Sequence, residues 1–254
     1  MNNKFFNQFL LQREMYFSSC YINKLGNFYF SQLEDPIWNF FVPSNNDFIN
    51  RIDDIENVFT EEGKLPCIVV ESNKISTIPS YIPFYYETWY KHQGLKQYET
   101  KYSCSISDNI EEVKSVMFAT FSSNNKGIQP WGDLNEKYFE IINDKLHNNN
   151  IINFSLYIDN EIASVCSVYK ELDYYNIFNL AIAPKYQNDT RSLEIFKHVA
   201  NYFLKHNGNE LYIQLEKDSK ITELIKEMDY IESLNVTYFK KQVFPFRLKK
   251  NFLS

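Results

Sequence analysis

The stretch Asn179-Leu-Ala-Ile-Ala-Pro-Lys-Tyr-Gln-Asn-Asp-Thr-Arg-Ser-Leu-Glu-Ile-Phe196 decides the fold. It begins as an apolar strand, is cut at Pro184, and re-emerges as a helix. Leu193, Phe196, Val199, Ala200 and Phe203 recur at helical spacing between about Arg191 and His206, and Asn207-Gly208 supplies the stop. A loop that enters a helix N-terminus presents backbone N–H groups without intrahelical partners, at the positive end of the helix dipole. Such a junction suits an anion.

Working outward, residues 174–182 complete the strand, and residues 171–173 form the turn before it. Phe154, Leu156 and Ile158 alternate as a half-buried strand does, Asp159-Asn160 is a hairpin turn, and residues 162–169 return. Further upstream, Asp108 reads as a helix cap with Glu111 three residues on; Ile110, Val113, Met117 and Phe121 then keep helical spacing. A loop holding Pro130 and Trp131 leads to a second helix with Leu134, Tyr138, Ile141 and Ile142 on one face. Downstream, Leu211, Ile213 and Leu215 alternate in a strand. Ile221, Leu224, Ile225 and Met228 mark a short helix, and residues 231–239 close with a strand. The order β-α-α-β-β-β-α-β-α-β predicts an α/β (α+β) fold, a mixed sheet flanked by helices.

The first hundred residues read more loosely. Phe5, Phe6, Phe9 and Leu10 suggest an opening helix, residues 27–30 and 38–42 are strands, and residues 48–59 are a helix with Ile52 and Ile55 inward. Cys67-Ile-Val-Val70 is a buried strand. Residues 84–92 read as a helix stopped by Gly94, and residues 95–102 as a strand. No Gly-, Pro- or Ser-rich linker marks the region of Ser103, so two units, 1–102 and 103–254, are expected to pack together.

Composition narrows the function. The chain has 254 residues, 44% of them hydrophobic, with 19 Tyr and 22 Phe, which is ample for a large core. A net charge of −6 and the lack of a Lys/Arg cluster beyond Arg247-Leu-Lys-Lys250 argue against nucleic acid as a partner. Cys20, Cys67, Cys104 and Cys166 show no C-x-x-C spacing, so neither a zinc site nor a disulfide framework is expected. No run approaches the ~20 apolar residues of a membrane span. Nor does the N-terminus look like a signal peptide. A soluble, cytoplasmic protein with no metal is expected. His92, His147, His198 and His206 show no triad spacing, and the last two read as surface residues of the long helix.

The opening stretch, within the 103–254 order, resembles the GNAT N-acyltransferase superfamily. Members carry an apolar strand, then V-x-P-x-Y, then Q/R-x-x-G-x-G/A leading into a helix. Ile182, Pro184 and Tyr186 match the first part, and Gln187 the second. The resemblance implies an acyl-CoA co-substrate, acetyl-CoA first, and an amine acceptor. It places the CoA pyrophosphate on the loop Gln187, Asn188, Asp189, Thr190, Arg191 and Ser192. The pantetheine arm would lie along Leu180, Ala181 and Ile182, whose N–H groups would polarise the thioester carbonyl. Thr190 stands where the first glycine is usual and Ser192 where the second is. Asp189 adds negative charge beside the phosphates, which Arg191 and Lys185 are expected to offset.

For catalysis, the resemblance puts Asn176 where some members place a general-base glutamate, and Ile225 where many place a general-acid tyrosine. Asp173, with Glu171, lies near the expected acceptor amine. Tyr174 and Tyr175 are alternative proton donors. Tyr90-Lys-His-Gln-Gly-Leu95 resembles the Y-x-x-x-G-F segment that ends the family fold, which implies a degenerate GNAT-like first half and a tandem arrangement. Three readings stand: an N-acetyltransferase, a GNAT-shaped binding protein without turnover, and a transferase for a longer acyl donor.

Overall fold

The computed structural model describes residues 18–93, 96–106, 109–121, 136–147, 149–171, 174–217, 219 and 221–242, together with Leu10 and Arg13. Phe5, Phe6 and Phe9 of the expected opening helix, the capping residue Asp108, the loop with Pro130 and Trp131, and Asp173 lie outside the described residues.

The strands are β1 (Ser19–Ile22), β2 (Gly26–Phe30), β3 (Phe40–Pro43), β4 (Cys67–Glu71), β5 (Tyr81–His92), β6 (Ser103–Ile106), β7 (Ile151–Ile158), β8 (Glu161–Glu171), β9 (Tyr174–Ile182), β10 (Glu210–Glu216) and β11 (Tyr230–Lys241). The helices are α1 (Ile52–Glu61), α2 (Ile110–Phe121), α3 (Glu136–Leu146), α4 (Ile195–Lys205) and α5 (Thr222–Glu227). All the strands join one sheet in the order β1-β2-β3-β4-β11-β5-β10-β9-β8-β7-β6.

The second half follows its expected pattern closely. Asp159 and Asn160 both take positive φ (52° and 65°), the geometry of a tight hairpin turn that Asn and Asp tolerate, and they link β7 to β8. β8 returns antiparallel to β9, and α4 carries the chain to β10, which lies parallel to β9. Two short 3-10 turns, Pro184–Tyr186 and Thr190–Glu194, fill the connection before α4.

The first half departs from expectation in two places. Residues 84–92 form part of β5, not a helix. β5 lies between β10 and β11, and its Tyr85, Trp89 and Tyr90 are buried. Aromatic and β-branched residues dominate Tyr81-Ile-Pro-Phe-Tyr-Tyr-Glu-Thr-Trp-Tyr, the composition a central strand favours. The alternation that would have marked it is hidden because residues 87–90 are buried on both faces and the outward Ile82 and Tyr86 are apolar although exposed. Tyr90 is therefore a strand residue, and its match to the terminal-helix segment fails. Residues 96–102 form no strand either; they run along α4. Here Asn201 bonds both the N–H and the carbonyl of Tyr98 at 2.8 Å, Glu194 accepts from the N–H groups of Lys101 and Tyr102, and His198 meets the Tyr102 carbonyl at 3.0 Å.

The sheet shows an internal echo. β1-β2-β3-α1-β4-β5 and β7-β8-β9-α4-β10-α5-β11 share an order, with a helix linking two parallel strands in each. The final strands cross over: β5 pairs with β10 of the second half, β11 pairs with β4 of the first, and β5 and β11 pair with each other at the centre. One core, under α2 and α3, runs through both halves from Tyr29, Phe40 and Tyr238 to Tyr174, Phe178 and Tyr212. On the opposite face, α4 and α5 cover the second half and α1 the first.

Candidate functional site

The site lies where β9 and β10 part. The two strands pair from Tyr174 opposite Glu210 to Ile177 opposite Ile213, and no further. β10 continues to Glu216 against β5, while β9 continues to Ile182 against β8 alone. The result is a fork, one of whose edges is the backbone of residues 178–182.

That edge contains a bulge. Ser167 pairs with Phe178 and Val165 with Ala181, so β9 spends one residue more than β8 between these pairs. Asn179 absorbs it in the left-handed region (φ 48°), which asparagine enters more readily than most residues. The bulge exchanges faces: Phe178 belongs to the core under α2 and α3, Leu180 packs against the core under α4, and Ala181 returns to the first. Tyr138 of α3 donates its hydroxyl to Asn179 Oδ1 at 3.1 Å and ties the bulge to that helix. Thr120 of α2 donates to the Ile182 carbonyl at 2.9 Å.

The root of the fork is polar and buried. Asn176 has no exposure; the Tyr174 hydroxyl faces its amide, and apart from that contact the Asn176 amide, the Tyr174 hydroxyl and Gln214 Oε1 are buried without hydrogen-bond partners. Burying such groups without partners costs about 1–3 kcal/mol each, so their concentration marks a place built to meet a polar ligand or water. Burial holds the Tyr174 phenol well above its ordinary pKa and keeps it neutral.

Gln187 to Ser192 form the loop expected to hold phosphate. Ser192 is fully buried, and its hydroxyl donates to the Asp189 carbonyl at 2.6 Å. The Ser164 hydroxyl donates to the Ser192 carbonyl, also at 2.6 Å. Ser192 therefore serves as a small packing residue, as its position requires. Gln187 Nε2 is a buried donor with no partner. The expected offset of charge takes a particular form. The Asp189 carboxylate accepts from the Arg191 backbone N–H at 3.0 Å and from its guanidinium at 2.7 to 3.0 Å. This pairing lowers the Asp189 pKa and raises that of Arg191. Lys185 is paired with Glu161. The loop thus supplies its own anion at a backbone N–H otherwise suited to a phosphate, and both of its cations are engaged.

The remaining sequence candidates divide. Leu180, Ala181 and Ile182 lie on the fork edge, and Asn176 at its root. Ile225 has no exposure and is a core residue under α5. Tyr175 packs on Phe203 at 5.3 Å, away from the fork face. Glu171 accepts from the Tyr169 hydroxyl at 3.0 Å. His198 is not a free surface residue, since it is spent on the Tyr102 carbonyl. The sequence reading missed Tyr138 and Gln214. It also missed Glu87 of β5, which is 2% exposed, opposes Glu216 in register and accepts from Trp89 Nε1 at 2.7 Å. Glu87 sat in a stretch read as a helix, and no local pattern points to it. Among the described residues, no three His, Cys, Asp or Glu side chains are grouped to hold a metal, and no helix is long and apolar enough to cross a membrane.

No family model and no curated protein matches the chain. Solved structures do. A GCN5-related N-acetyltransferase from Kribbella flavida superposes with a TM-score of 0.67 over 94% of both chains, at 5% identity. One from Sphaerobacter thermophilus gives 0.60 over 82% of this chain and 73% of its own, at 7% identity. A tandem GNAT protein from the clavulanic acid biosynthesis pathway gives 0.54 over 87% and 80%, at 8% identity. At these identities the likeness is one of fold, and it is consistent: this chain has the GNAT fold.

Proposed function

We propose that the chain is an acyl-CoA-dependent N-acyltransferase that moves an acetyl group from acetyl-CoA to a primary amine of a small molecule or peptide. The observation that carries this is the bulged edge of β9 facing an open fork whose root is lined by unpartnered polar groups. The residues fit the co-substrate in two parts. Leu180 to Ile182 offer strand backbone for the amides of a pantetheine arm. In the loop, the N–H groups of Gln187, Asp189 and Ser192 already meet backbone carbonyls, so what it offers a pyrophosphate is the Arg191 N–H and guanidinium, once Asp189 turns away, and the orphan Gln187 side-chain donor. The thioester supplies the activated acyl group.

The chain's own contribution is orientation and charge stabilisation. A backbone N–H at the bulge, held by the Tyr138–Asn179 bond, is rigid enough to stabilise a developing oxyanion; a single such donor contributes roughly 10²–10³ in rate. Holding the amine against the acyl carbon contributes through proximity. Asn176 cannot take a proton, and Ile225 cannot give one. The amine would therefore react as the neutral species that water has already deprotonated, and activity should rise with pH toward the pKa of the acceptor.

A second reading has specific support. Asp189 already occupies the Arg191 N–H, and Ile225 removes the usual hydroxyl, as in a GNAT-fold binding protein without turnover. Calorimetric titration of acetyl-CoA and free CoA, with mass detection of acylated amines, separates the two. The transferase reading expects micromolar binding that Arg191→Glu weakens, plus product from an amine library. Binding without product removes the transferase reading, and no binding at millimolar ligand means that the phosphate site is closed and leaves a GNAT-shaped interaction protein.

A further inference from the structure

β5 brings a buried carboxylate to the fork. Glu87 opposes Glu216 in register, beyond the point where β9 leaves β10. It shares a face with Tyr85 and Trp89, and thus with Tyr212 and Asn176 across the strands. Its partner is Arg13, from the segment before β1. The two side chains form an ion pair with 4% and 1% exposure. The Arg13 guanidinium also lies 5.8 Å from the ring centroid of Trp38, and Trp38 packs on Tyr138 at 5.8 Å. Tyr138 holds the bulge through Asn179. A guanidinium therefore sits in a carboxylate and indole cage, two aromatic side chains from the bulge.

A buried ion pair is a poor way to stabilise a core, since apolar residues of similar volume usually do as well or better. A carboxylate flanked by indoles is a good way to recognise a cation. The guanidinium comes from a part of the chain 74 residues away in sequence from the carboxylate it meets, and Arg13 belongs to none of the strand pairs, so opening this ion pair breaks no strand pairing.

We propose that Glu87, with Trp38 and Trp89, is a recognition site for a guanidinium on the acceptor, distinct from the amine that is acylated, and that Arg13 is the internal occupant it displaces. The assignment of this cation to an acceptor rests on the transferase reading; the cation site itself does not. The acceptor class is then a chain with two basic ends, one held at Glu87 and one presented at the fork.

The test uses the full chain without acyl-CoA. 4-Aminobutylguanidine and butylamine, which share a four-carbon arm, are titrated calorimetrically into wild type, Arg13→Ala, Glu87→Gln and the double variant Arg13→Met/Glu87→Leu. The double variant leaves neither charge buried alone, so it keeps the test valid if Glu87→Gln fails to fold. The guanidine is expected to bind wild type and to bind Arg13→Ala about tenfold more tightly, because the competing occupant is gone. It should bind neither Glu87 variant, and butylamine should bind none of the four. Equal binding of the two amines, or binding indifferent to Glu87, overturns the proposal. So does guanidine binding confined to Arg13→Ala, which would mean a cavity made by the substitution. Acetyl transfer from acetyl-CoA to both amines is measured separately. The expected binding order without product would leave the cation site standing and remove the transferase reading. Equal acetylation of both amines, independent of Glu87, would do the reverse.

Discussion

Asp189 concentrates in one side chain the chemistry of the loop proposed to receive a phosphate. Its carboxylate holds both the N–H and the guanidinium of Arg191, two donors the loop would otherwise turn toward a phosphate. The pair is surface-exposed and screened by salt, so it adds little to stability. It can still oppose ligand binding, because a carboxylate next to a phosphate repels it. Asp189→Asn keeps an acceptor for the Arg191 N–H and removes the charge. Acetyl-CoA is expected to bind this variant about 3- to 10-fold more tightly at low salt, with the gain shrinking as salt rises. Unchanged or weaker affinity would mean that Asp189 orders the loop for its ligand. Much of this residue scale was legible in sequence: Gln187 to Ser192 could be placed because a strand, a proline and a helical stripe bracket them. Asn176 and Ile225 were placed by register alone. Glu87, Arg13 and Tyr138 were not legible as site residues, because each reaches the site through long-range pairing that no local spacing encodes.

At the scale of elements, α4 serves two partners. Its N-terminal side carries the loop; Glu194, just before its first residue, and His198 and Asn201 within it fall at successive turns and hydrogen-bond the backbone of Tyr98, Lys101 and Tyr102. This explains why the segment joining the halves is ordered without being a strand: its hydrogen bonds go to helix side chains. Two histidines lie in this region. Burial lowers the pKa of His198, and it lowers that of His92, which meets the Tyr98 hydroxyl at 3.0 Å. A depressed histidine pKa means that the folded state prefers the neutral ring. The stabilisation is present above the unfolded value of about 6.5 and is lost as pH falls through the folded value. The melting temperature should therefore drop between pH 7 and pH 5, and His92→Asn/His198→Asn should show a shallower drop over the same interval. Parallel curves would assign the loss to carboxylates instead. The element scale also holds the largest misreading. β5 is central, with large apolar side chains on both faces and both faces buried from Glu87 to Tyr90, so its aromatic run lacks a period of two, and only its pairing with β10 and β11 defines it.

At the scale of the molecule, the crossing of β5 and β11 makes the halves interdependent. Each half lends its final strand to the other, and one core runs under both. A fragment of residues 103–254 would keep β11 but lose both of its neighbours, β4 and β5, and would leave β10 with an open edge. Unpaired central edges of this kind drive aggregation. The fragment is expected to be insoluble or to dimerise by strand exchange, while the full chain unfolds in a single transition by fluorescence and circular dichroism. A soluble, monomeric fragment with native circular dichroism would contradict this. The crossing also places β5, from the first hundred residues, along the far side of the fork.

The central claim, that acyl-CoA lies along the β9 edge and the loop into α4, is tested most directly by hydrogen exchange on the full chain with and without saturating acetyl-CoA. The account predicts slower exchange of backbone amides in residues 178–182 and 187–192, with residues 40–51, the corresponding strand and turn of the first half, unchanged. Unaltered exchange at both second-half segments, or protection confined to the first half, would contradict it.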